Sequence, residues 1–532
     1  MSPDTISSTQ KAVVAQVTPT AVAFCDLPAL IAQSALIRPA STAIVDGKRR
    51  INYATLDKMV DRVAASLQRD GVAPKQAIAI CAATSAEYVA VFLGVLRAGA
   101  AVAPLAPSAT PAQLIDMLRD ADAQRFFVDG AVAAALDASG VALPDGIALS
   151  RLDADGHQAL PSWLVPVSVS PMPVLIEPAW PFNIIYSSGT TGTPKGIVQS
   201  HLMRWLQAQY APLFGFGPST VTMVATPLYS NTTMTTVLPT LAFGGCLVLM
   251  AKFEASAYLK LAQDEGVTHA MLVPVQYQRL MSREDFGRFD LKSSLAKFCT
   301  SAPLSAALKA DVVARWPGIL VEYYGMTEGG GTCMLLANLY PTKLHTVGQP
   351  LPEHDIRLID EQGVEVVAGQ IGEVVGRSAT MMTGYHSQPG KTSEAEWFDA
   401  QGNRFIRTGD VGRFDEDGFL ILLDRRKDMI ISGGFNIYPS DLEAVLGQHP
   451  AVANAAVVGV PSAEWGETPV AFVVRRTECD TSAGEFLLWA NRRLGKTQRL
   501  KDLRLLNELP RSAIGKILKR ELRDSWIDSA AL

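Results

Sequence analysis

A run of small, hydroxyl-bearing and glycine residues closing on a lysine, Tyr186-Ser187-Ser188-Gly189-Thr190-Thr191-Gly192-Thr193-Pro194-Lys195-Gly196, has the makings of a polyphosphate cradle. Glycines let the backbone approach an anion closely, hydroxyls donate hydrogen bonds, and Lys195 supplies positive charge. It is not the P-loop pattern, which places lysine directly after its second glycine and opens a helix; Pro194 intervenes here. A flexible Gly/Thr linker would share the composition, but not the full string behind an apolar strand candidate, Phe182–Ile185. A second string, Tyr323-Tyr324-Gly325-Met326-Thr327-Glu328-Gly329-Gly330-Gly331, also follows a strand candidate. There an aromatic ring can stack on a purine, Thr327 can bond a phosphate, and Glu328 can hold a magnesium ion. Alone, this string would pass for a glycine-rich turn between core tyrosines.

Two further strings are weaker. Arg407-Thr408-Gly409-Asp410 is followed by Asp424-Arg425-Arg426-Lys427-Asp428. A carboxylate held by a tight turn suits the paired hydroxyls of a ribose, and a nearby arginine reinforces phosphate binding. Separately they read as a hairpin turn and a solvated charge run. Near the end of the chain, Pro510-Arg511-Ser512-Ala513-Ile514-Gly515-Lys516-Ile517 presents a lysine on a glycine turn, ordinarily a surface feature. Only the other strings raise it above that.

The elements that must position these residues follow from periodicity. Leu56–Arg69 and Ser85–Ala98 have helical apolar spacing, whereas Ala77–Cys81 and Ala101–Pro104 are short buried-strand runs. That alternation predicts parallel strands joined by crossover helices. Pro161–Pro181 is proline-rich and predicts an extended connector. A second alternating stretch holds strand candidates Thr222–Thr226, Cys246–Met250, Ala270–Val273 and Leu320–Tyr323. From Gly348 to Leu423 short apolar runs between Gly and Asp predict a β-rich subdomain of hairpins. Beyond a boundary near Arg426, a small α+β domain is expected, with helices Pro439–Gln448 and Ser482–Leu494 and strands Ala455–Val460 and Val470–Val474.

The chain has 532 residues, 48% hydrophobic and 19% charged, enough for a large domain and a smaller one. Its 47 basic and 52 acidic residues leave a net charge of −5. Without a basic block, nucleic acid and anionic membrane are poor partners. Six scattered cysteines suggest neither a disulfide framework nor a zinc site, and the simpler expectation is reduced thiols in a cytoplasmic protein. The first residues lack the apolar stretch of a signal peptide, and runs such as Leu241–Ala251 are too short to span a bilayer.

Together the four strings, in this order and spacing, resemble the superfamily of acyl-CoA synthetases, peptide-synthetase adenylation domains and beetle luciferases, nearest to aryl- or medium-chain acyl-CoA ligases. The resemblance runs from about residue 27 onward. It implies an α/β fold: a large N-terminal adenylate-forming domain over residues 1–426, built of αβ-layered subdomains and a β-rich subdomain, with a small mobile α+β lid over 427–532. By similarity, Ser187, Ser188, Gly189, Thr190, Thr191, Gly192, Thr193 and Lys195 form the phosphate loop. Ser301, Ala302, Pro303 and Tyr324 resemble the adenine pocket, Thr327 a phosphate contact and Glu328 the Mg²⁺ ligand. Asp410 matches the ribose-binding aspartate, Arg425 a further nucleotide contact, Lys427 the hinge and Lys516 the mobile catalytic lysine. Gly433 and Gly434 match the segment lining a pantetheine tunnel, and Trp465 a tryptophan near the CoA nucleotide. Tyr229, Ser230, Thr232, Val273, Tyr277 and Tyr323 are expected to line the acyl pocket.

The activity so implied is ATP-dependent: an organic acid becomes an acyl-AMP with release of pyrophosphate, and coenzyme A then takes the acyl group. The alternatives are transfer to a carrier protein, or a catalytically silent acyl-CoA or nucleotide sensor. ATP, Mg²⁺ and CoA are the expected small-molecule partners beside the carboxylic acid; nucleic acid and an integral membrane segment are not expected, and a homodimer is one assembly the resemblance allows. Coumarate-type ligases carry histidine where Ser230 stands and glycine where Tyr323 stands. Tyrosine at that floor shortens the pocket, and no arginine is there to meet a dicarboxylate, so an aromatic or medium-sized aliphatic or alicyclic acid is expected. The chain departs from relatives at Thr497-Gln498-Arg499-Leu500, where many carry an aromatic-Lys-x-Pro string. Lys496, Arg499 and Lys501 are candidates to substitute for it.

Overall fold

Short, wholly apolar strands set the layers of this protein. The computed structural model describes residues 23–153, 159–187, 195–425, 427–432, 435–462, 465–476, 479–495, 498–512 and 515–530. Ala77–Cys81 and Ala101–Pro104 are buried along their whole length and pair in parallel. Such runs suit strands covered on both faces. They lie in a seven-stranded sheet ordered Gly384–Tyr385, Lys195–Ser200, Pro181–Ser187, Ala101–Pro104, Ala77–Cys81, Ala123–Val128, Ala148–Arg151. The crossover helices start where side chains cap them. Asn52 accepts from Thr55 N at 2.8 Å to open Tyr53–Arg69, and Ser85 accepts from Tyr88 N at 3.2 Å to open Ala86–Arg97. A Cβ at Gly94 would lie 2.5 Å from Val63 Cβ, so glycine lets these two helices approach closely.

A second sheet carries a parallel core in the order Ile319–Tyr324, Ala296–Cys299, His269–Leu272, Val221–Val224, Cys246–Leu249, Thr42–Asp46. The carboxyl ends of neighbouring parallel strands are where open α/β sheets bind ligands. Val273, Thr300–Ser301 and Tyr323–Tyr324 stand at such ends.

Backbone contacts divide the chain into two units. The first comprises 1–345, 350–355 and 376–406 and contains the layers just described; the second comprises 346–349, 356–375 and 407–532. In the second unit, Arg404–Phe414, from Arg407 on, pairs antiparallel with Leu420–Arg425. A separate sheet runs Phe435–Ile437, Ile430–Ser432, Gly466–Arg475, Val452–Ser462, with Asp502–Leu506 beside Gly466–Arg475 in parallel. Helices Pro439–Gly447 and Ala483–Asn491 close one core with it.

Two expectations are amended. The proline-rich connector opens with a short helix, Leu160–Trp163, before running without regular structure to the strand at Pro181. In the β-rich stretch, Gly384–Tyr385 leaves its neighbours in sequence and pairs with Lys195–Ser200 in the seven-stranded sheet; alternating apolar residues cannot tell which sheet a two-residue strand joins. Among the described residues, no helix is long and apolar enough to cross a membrane.

Candidate active site

The proposed phosphate loop is flanked by two paired strands. Pro181–Ser187 and Lys195–Ser200 pair antiparallel with Tyr186 opposite Gly196 and Ser187 opposite Lys195. Ser188, Gly189, Thr190, Thr191, Gly192 and Thr193 lie outside the described residues, as does the side chain of Ser187. The base of the hairpin is tightly held. Tyr186 donates its hydroxyl to Asp120 Oδ2 at 2.7 Å and to Met117 O at 3.1 Å. Burial, then Asp120, pushes that phenol far above its ordinary range. At Gly196 a Cβ would meet Ile184 Cγ2 at 2.8 Å and Asp120 Oδ2 at 3.0 Å, so the glycine after the lysine serves packing.

Beside this hairpin lies the Thr327–Glu328 turn. Gln199, fully buried, donates Nε2 to Thr327 O at 2.7 Å, and Glu328 O accepts from Met382 N at 2.7 Å. The Glu328 carboxylate accepts from Tyr385 Oη at 2.9 Å, while Lys195 Nζ lies 5.0 Å from the centroid of the same ring. The hairpin lysine and the turn carboxylate thus share one tyrosine. The glycines that follow are not a flexible loop. Gly329 has φ +78° and its absent Cβ would sit 1.9 Å from Thr380 O; Gly330 has φ +87° and would sit 2.8 Å from Gly376 O. Ser378 donates to Gly330 O, closing the packing.

Among the described residues no group of three or more His, Cys, Asp or Glu side chains could hold a metal ion. A single carboxylate still suits Mg²⁺, which keeps several waters and is commonly bound by one or two carboxylates together with substrate phosphates. Glu328 fits: one oxygen is bonded to Tyr385 and its partner oxygen remains to coordinate.

On the neighbouring parallel strands, Ser301 adopts φ +81°, rare for a non-glycine residue. Its hydroxyl lies 2.6 Å from that of Thr232, which joins the end of Ala296–Cys299 to the first turn of the helix Asn231–Ala242. Ala302 is half-buried and Pro303 exposed; Tyr324 is half-buried and pairs with Cys333. Tyr323 stacks on Phe298 at 6.0 Å with 7° between the rings, and Phe214 meets it edge-on at 6.5 Å. This aromatic layer was not legible beforehand, because Phe214 and Phe298 lie in unrelated stretches of sequence. Tyr229 is buried enough to lift its phenol to about 12, and Ser230 and Val273 are buried where they precede helices. Tyr277 is fully buried: its hydroxyl donates to Phe298 O at 2.9 Å and its ring packs on Trp316.

Within the second unit, a cationic group surrounds one carboxylate. Register places Asp410 opposite Arg425, and Arg425 Nε lies 3.3 Å from Asp410 Oδ1. Thr408 sets the turn, donating to Val374 O at 2.8 Å and accepting from Asp410 N at 3.0 Å. Arg407 does not face this carboxylate; it is bidentate on Glu373, at 2.5 and 3.2 Å. Lys516 is carried in a closed loop: Arg511 bridges Ile517, Ser512 N donates to Lys516 O at 2.8 Å, and Lys516 N donates to Ser512 Oγ at 3.2 Å. Arg511 Nη1 donates to Gly515 O at 2.8 Å. Burial, followed by Arg425 and Lys427, lowers the Lys516 ammonium to about 8, against the opposing pull of Asp410 and Asp428. Lys427 is exposed, Trp465 is about half exposed (51%) at a hairpin turn with its N–H on Ser462 Oγ at 3.3 Å, and Gly433 and Gly434 lie outside the described residues.

Known proteins share this pattern along the chain. Residues 31–386 match the model of the AMP-binding enzyme family and 441–516 that of the AMP-binding enzyme C-terminal domain. An indoleacetate–CoA ligase of Aromatoleum aromaticum is 32% identical over 518 residues, covering 94% of this chain and 98% of its own. A feruloyl-CoA synthase of an Amycolatopsis species is 31% identical, covering 92% and 96%. The ATP-bound crystal structure of MatB from Rhodopseudomonas palustris superposes with a TM-score of 0.83 at 28% identity, covering 95% of this chain and 99% of that one. Motif order, the tyrosine-linked lysine and carboxylate, and likeness over nearly the whole length place the chain in the AMP-binding enzyme family, among the adenylate-forming ligases of the acyl-CoA synthetase type.

Proposed function

We propose that the protein activates an aromatic or medium-sized aliphatic or alicyclic carboxylic acid with ATP and passes the acyl group to free coenzyme A. The observation that carries the first half is the Lys195–Tyr385–Glu328 arrangement at the base of the phosphate hairpin. The aromatic layer of Tyr323, Phe298 and Phe214 supports an aromatic acid, as do relatives named for indoleacetate and ferulate.

A carboxylate is a poor acyl donor because its oxygen leaves badly. Its attack on the α-phosphorus of ATP expels pyrophosphate and leaves a mixed anhydride whose leaving group is AMP. The acid is already ionised at neutral pH, so no general base is required. Negative charge gathers on the phosphoryl and carboxylate oxygens, and Lys516 is the cation that meets it, with Lys195 on the departing pyrophosphate. Glu328 would hold a magnesium ion, which, when bound, would neutralise charge on the phosphates. Asp410 takes the ribose hydroxyls. In the second step the thiol of CoA attacks the same carbonyl and AMP leaves. For this the segment after Lys427 turns as a lid, withdrawing Lys516 and bringing Gly433–Gly434 beside the pantetheine arm, where a side chain would obstruct it.

A carboxylic-acid panel assayed for AMP release with and without CoA tests the proposal. Release that depends on an aromatic acid and rises with CoA is expected; acid-dependent release indifferent to CoA would point to a carrier-protein acceptor. Lys427→Pro is expected to slow thioester formation from acyl-AMP at least tenfold while pyrophosphate exchange keeps most of its rate, since proline removes the φ freedom a pivot uses. If CoA transfer is unchanged, the pivot lies elsewhere.

The lowered Lys516 also gives a pH dependence. An ammonium depressed to about 8 is charged below that pH and neutral above it, so kcat/KM for exchange is expected to be flat near pH 7 and to fall tenfold per unit well above 8. An alkaline limb at the ordinary lysine range, near 10, would place this side chain in water in the free enzyme.

A further inference from the structure

Two opposite charges on flexible side chains meet different parts of one ring, the lysine its face and the carboxylate its hydroxyl. Lys195 Nζ is over the face of Tyr385, 5.0 Å from its centroid, and Glu328 Oε1 accepts from the hydroxyl at the ring's edge at 2.9 Å. Among the described residues neither Lys195 nor Glu328 makes an ion pair. In a half-buried setting with weakened screening, such a pair would close if nothing intervened. The face of an aromatic ring attracts a cation, while the phenol hydroxyl donates to an anion, so tyrosine satisfies both charges at once.

The ring cannot step aside. Tyr385 is 8% exposed, and its strand pairs with the hairpin through Gly384 opposite Val198 and Tyr385 opposite Ile197. His386 N donates to Gly196 O at 2.7 Å, next to Lys195. Just beyond, His386 Nδ1 donates to Asp120 O at 2.6 Å and Gln388 Nε2 to Asp120 Oδ1 at 2.9 Å. Asp120 in turn holds Tyr186 at the other side of the hairpin base. One short segment therefore grips one strand of the hairpin directly and the other through Asp120, and fixes the ring whose face meets the lysine and whose hydroxyl meets the turn carboxylate.

We propose that Tyr385 is a positioning residue, a partition that prevents Lys195 and Glu328 from neutralising each other and so keeps the lysine available for phosphate and the carboxylate for metal. The inference rests on those two roles as proposed above. Its test uses the full-length enzyme, with ATP binding measured calorimetrically without divalent metal and Mn²⁺ binding with ATP followed by electron paramagnetic resonance. Tyr385→Ala is expected to weaken metal-free ATP binding about tenfold, because Lys195 is drawn onto Glu328. Adding Glu328→Gln to that variant should recover most of the loss, a gain several-fold larger than the same substitution makes in the wild type. Tyr385→Phe keeps the partition and loses the hydroxyl: metal-free ATP binding should stay as in the wild type while Mn²⁺ binding weakens about tenfold. An equal effect of Glu328→Gln in both backgrounds, or a Tyr385→Phe variant as weak as Tyr385→Ala toward metal-free ATP, would overturn the partition. If Glu328→Gln alone leaves Mn²⁺ binding intact, the metal role of Glu328 fails, and the metal-free comparison still decides the partition. If Lys195→Met binds metal-free ATP normally, the phosphate role of Lys195 falls and the partition with it.

Discussion

Lys516→Ala is expected to slow acid-dependent pyrophosphate exchange by about 10²–10³-fold, the range lost when one preorganised charge or donor is removed from a transition state. Thioester formation from a supplied acyl-AMP should keep most of its rate, because the proposed lid motion withdraws the lysine for that step. The split follows from how the residue is built. Ser512, Arg511 and Gly515 lock the backbone of its loop, so the substitution removes a charge without loosening its carrier. Its removal also relieves a desolvation cost, since a half-buried ammonium lowered to about 8 is held charged at a cost in the native state. That cost comes with the charged form and fades as pH rises through 8. Equal loss in both half-reactions would refute this division of labour.

The other large effect is expected at Gly329. Alanine there must take a left-handed conformation, costing about 1–2 kcal/mol, and must push its Cβ out of contact with a backbone oxygen 1.9 Å away. Overpacking of this kind typically adds about 1–3 kcal/mol. A total near 3 kcal/mol should appear as faster hydrogen exchange in peptides covering 327–336 and 376–382. Exchange-half-reaction activity should fall with it, since the residue next door is Glu328. Gly409 is the natural comparison: φ is +70° but nothing lies within 4 Å of its missing Cβ, so Gly409→Ala carries the conformational cost alone, about 1 kcal/mol. If the two variants behave alike, the approach of Thr380 to Gly329 is slack.

Much of the scaffold was readable because it is made of buried parallel strands, which in sequence are short apolar runs bounded by turn residues. Ala77–Cys81 and Ala101–Pro104 fall on the observed strands, and Leu320–Tyr323 lies within Ile319–Tyr324. The helix that Ser85 caps was readable at its start, whereas Leu56–Arg69 omits residues 53–55, the turn that Asn52 caps; the C-terminal helices were readable where Pro439 and Ser482 open them. Glu328, Lys195, Asp410 and Lys516 could be singled out because motifs are local. What links Lys195 to Glu328 is not. Tyr385 is 57 residues from Glu328 in sequence, and a Gly-Tyr pair in a β-rich stretch looks like any turn. Phe298 and Phe214 likewise become a layer behind Tyr323 only once the strands are side by side. The triple glycine was legible as punctuation but not in purpose, since close approach to Thr380 and Gly376 depends on a chain segment far downstream.

In the ribose role proposed for it, Asp410 would meet an incoming sugar already engaged, with a guanidinium 3.3 Å away. Sugar hydroxyls there must compete with Arg425 as well as with solvent, so docking is an exchange of partners and its net gain is small. The released arginine then becomes free to follow the phosphates, which couples recognition of the sugar to capture of the charge behind it. Added salt loosens the resting pair and the phosphate contact together, so the two losses offset, and on this proposal nucleotide affinity should vary less with ionic strength than the number of cations assigned to it would suggest.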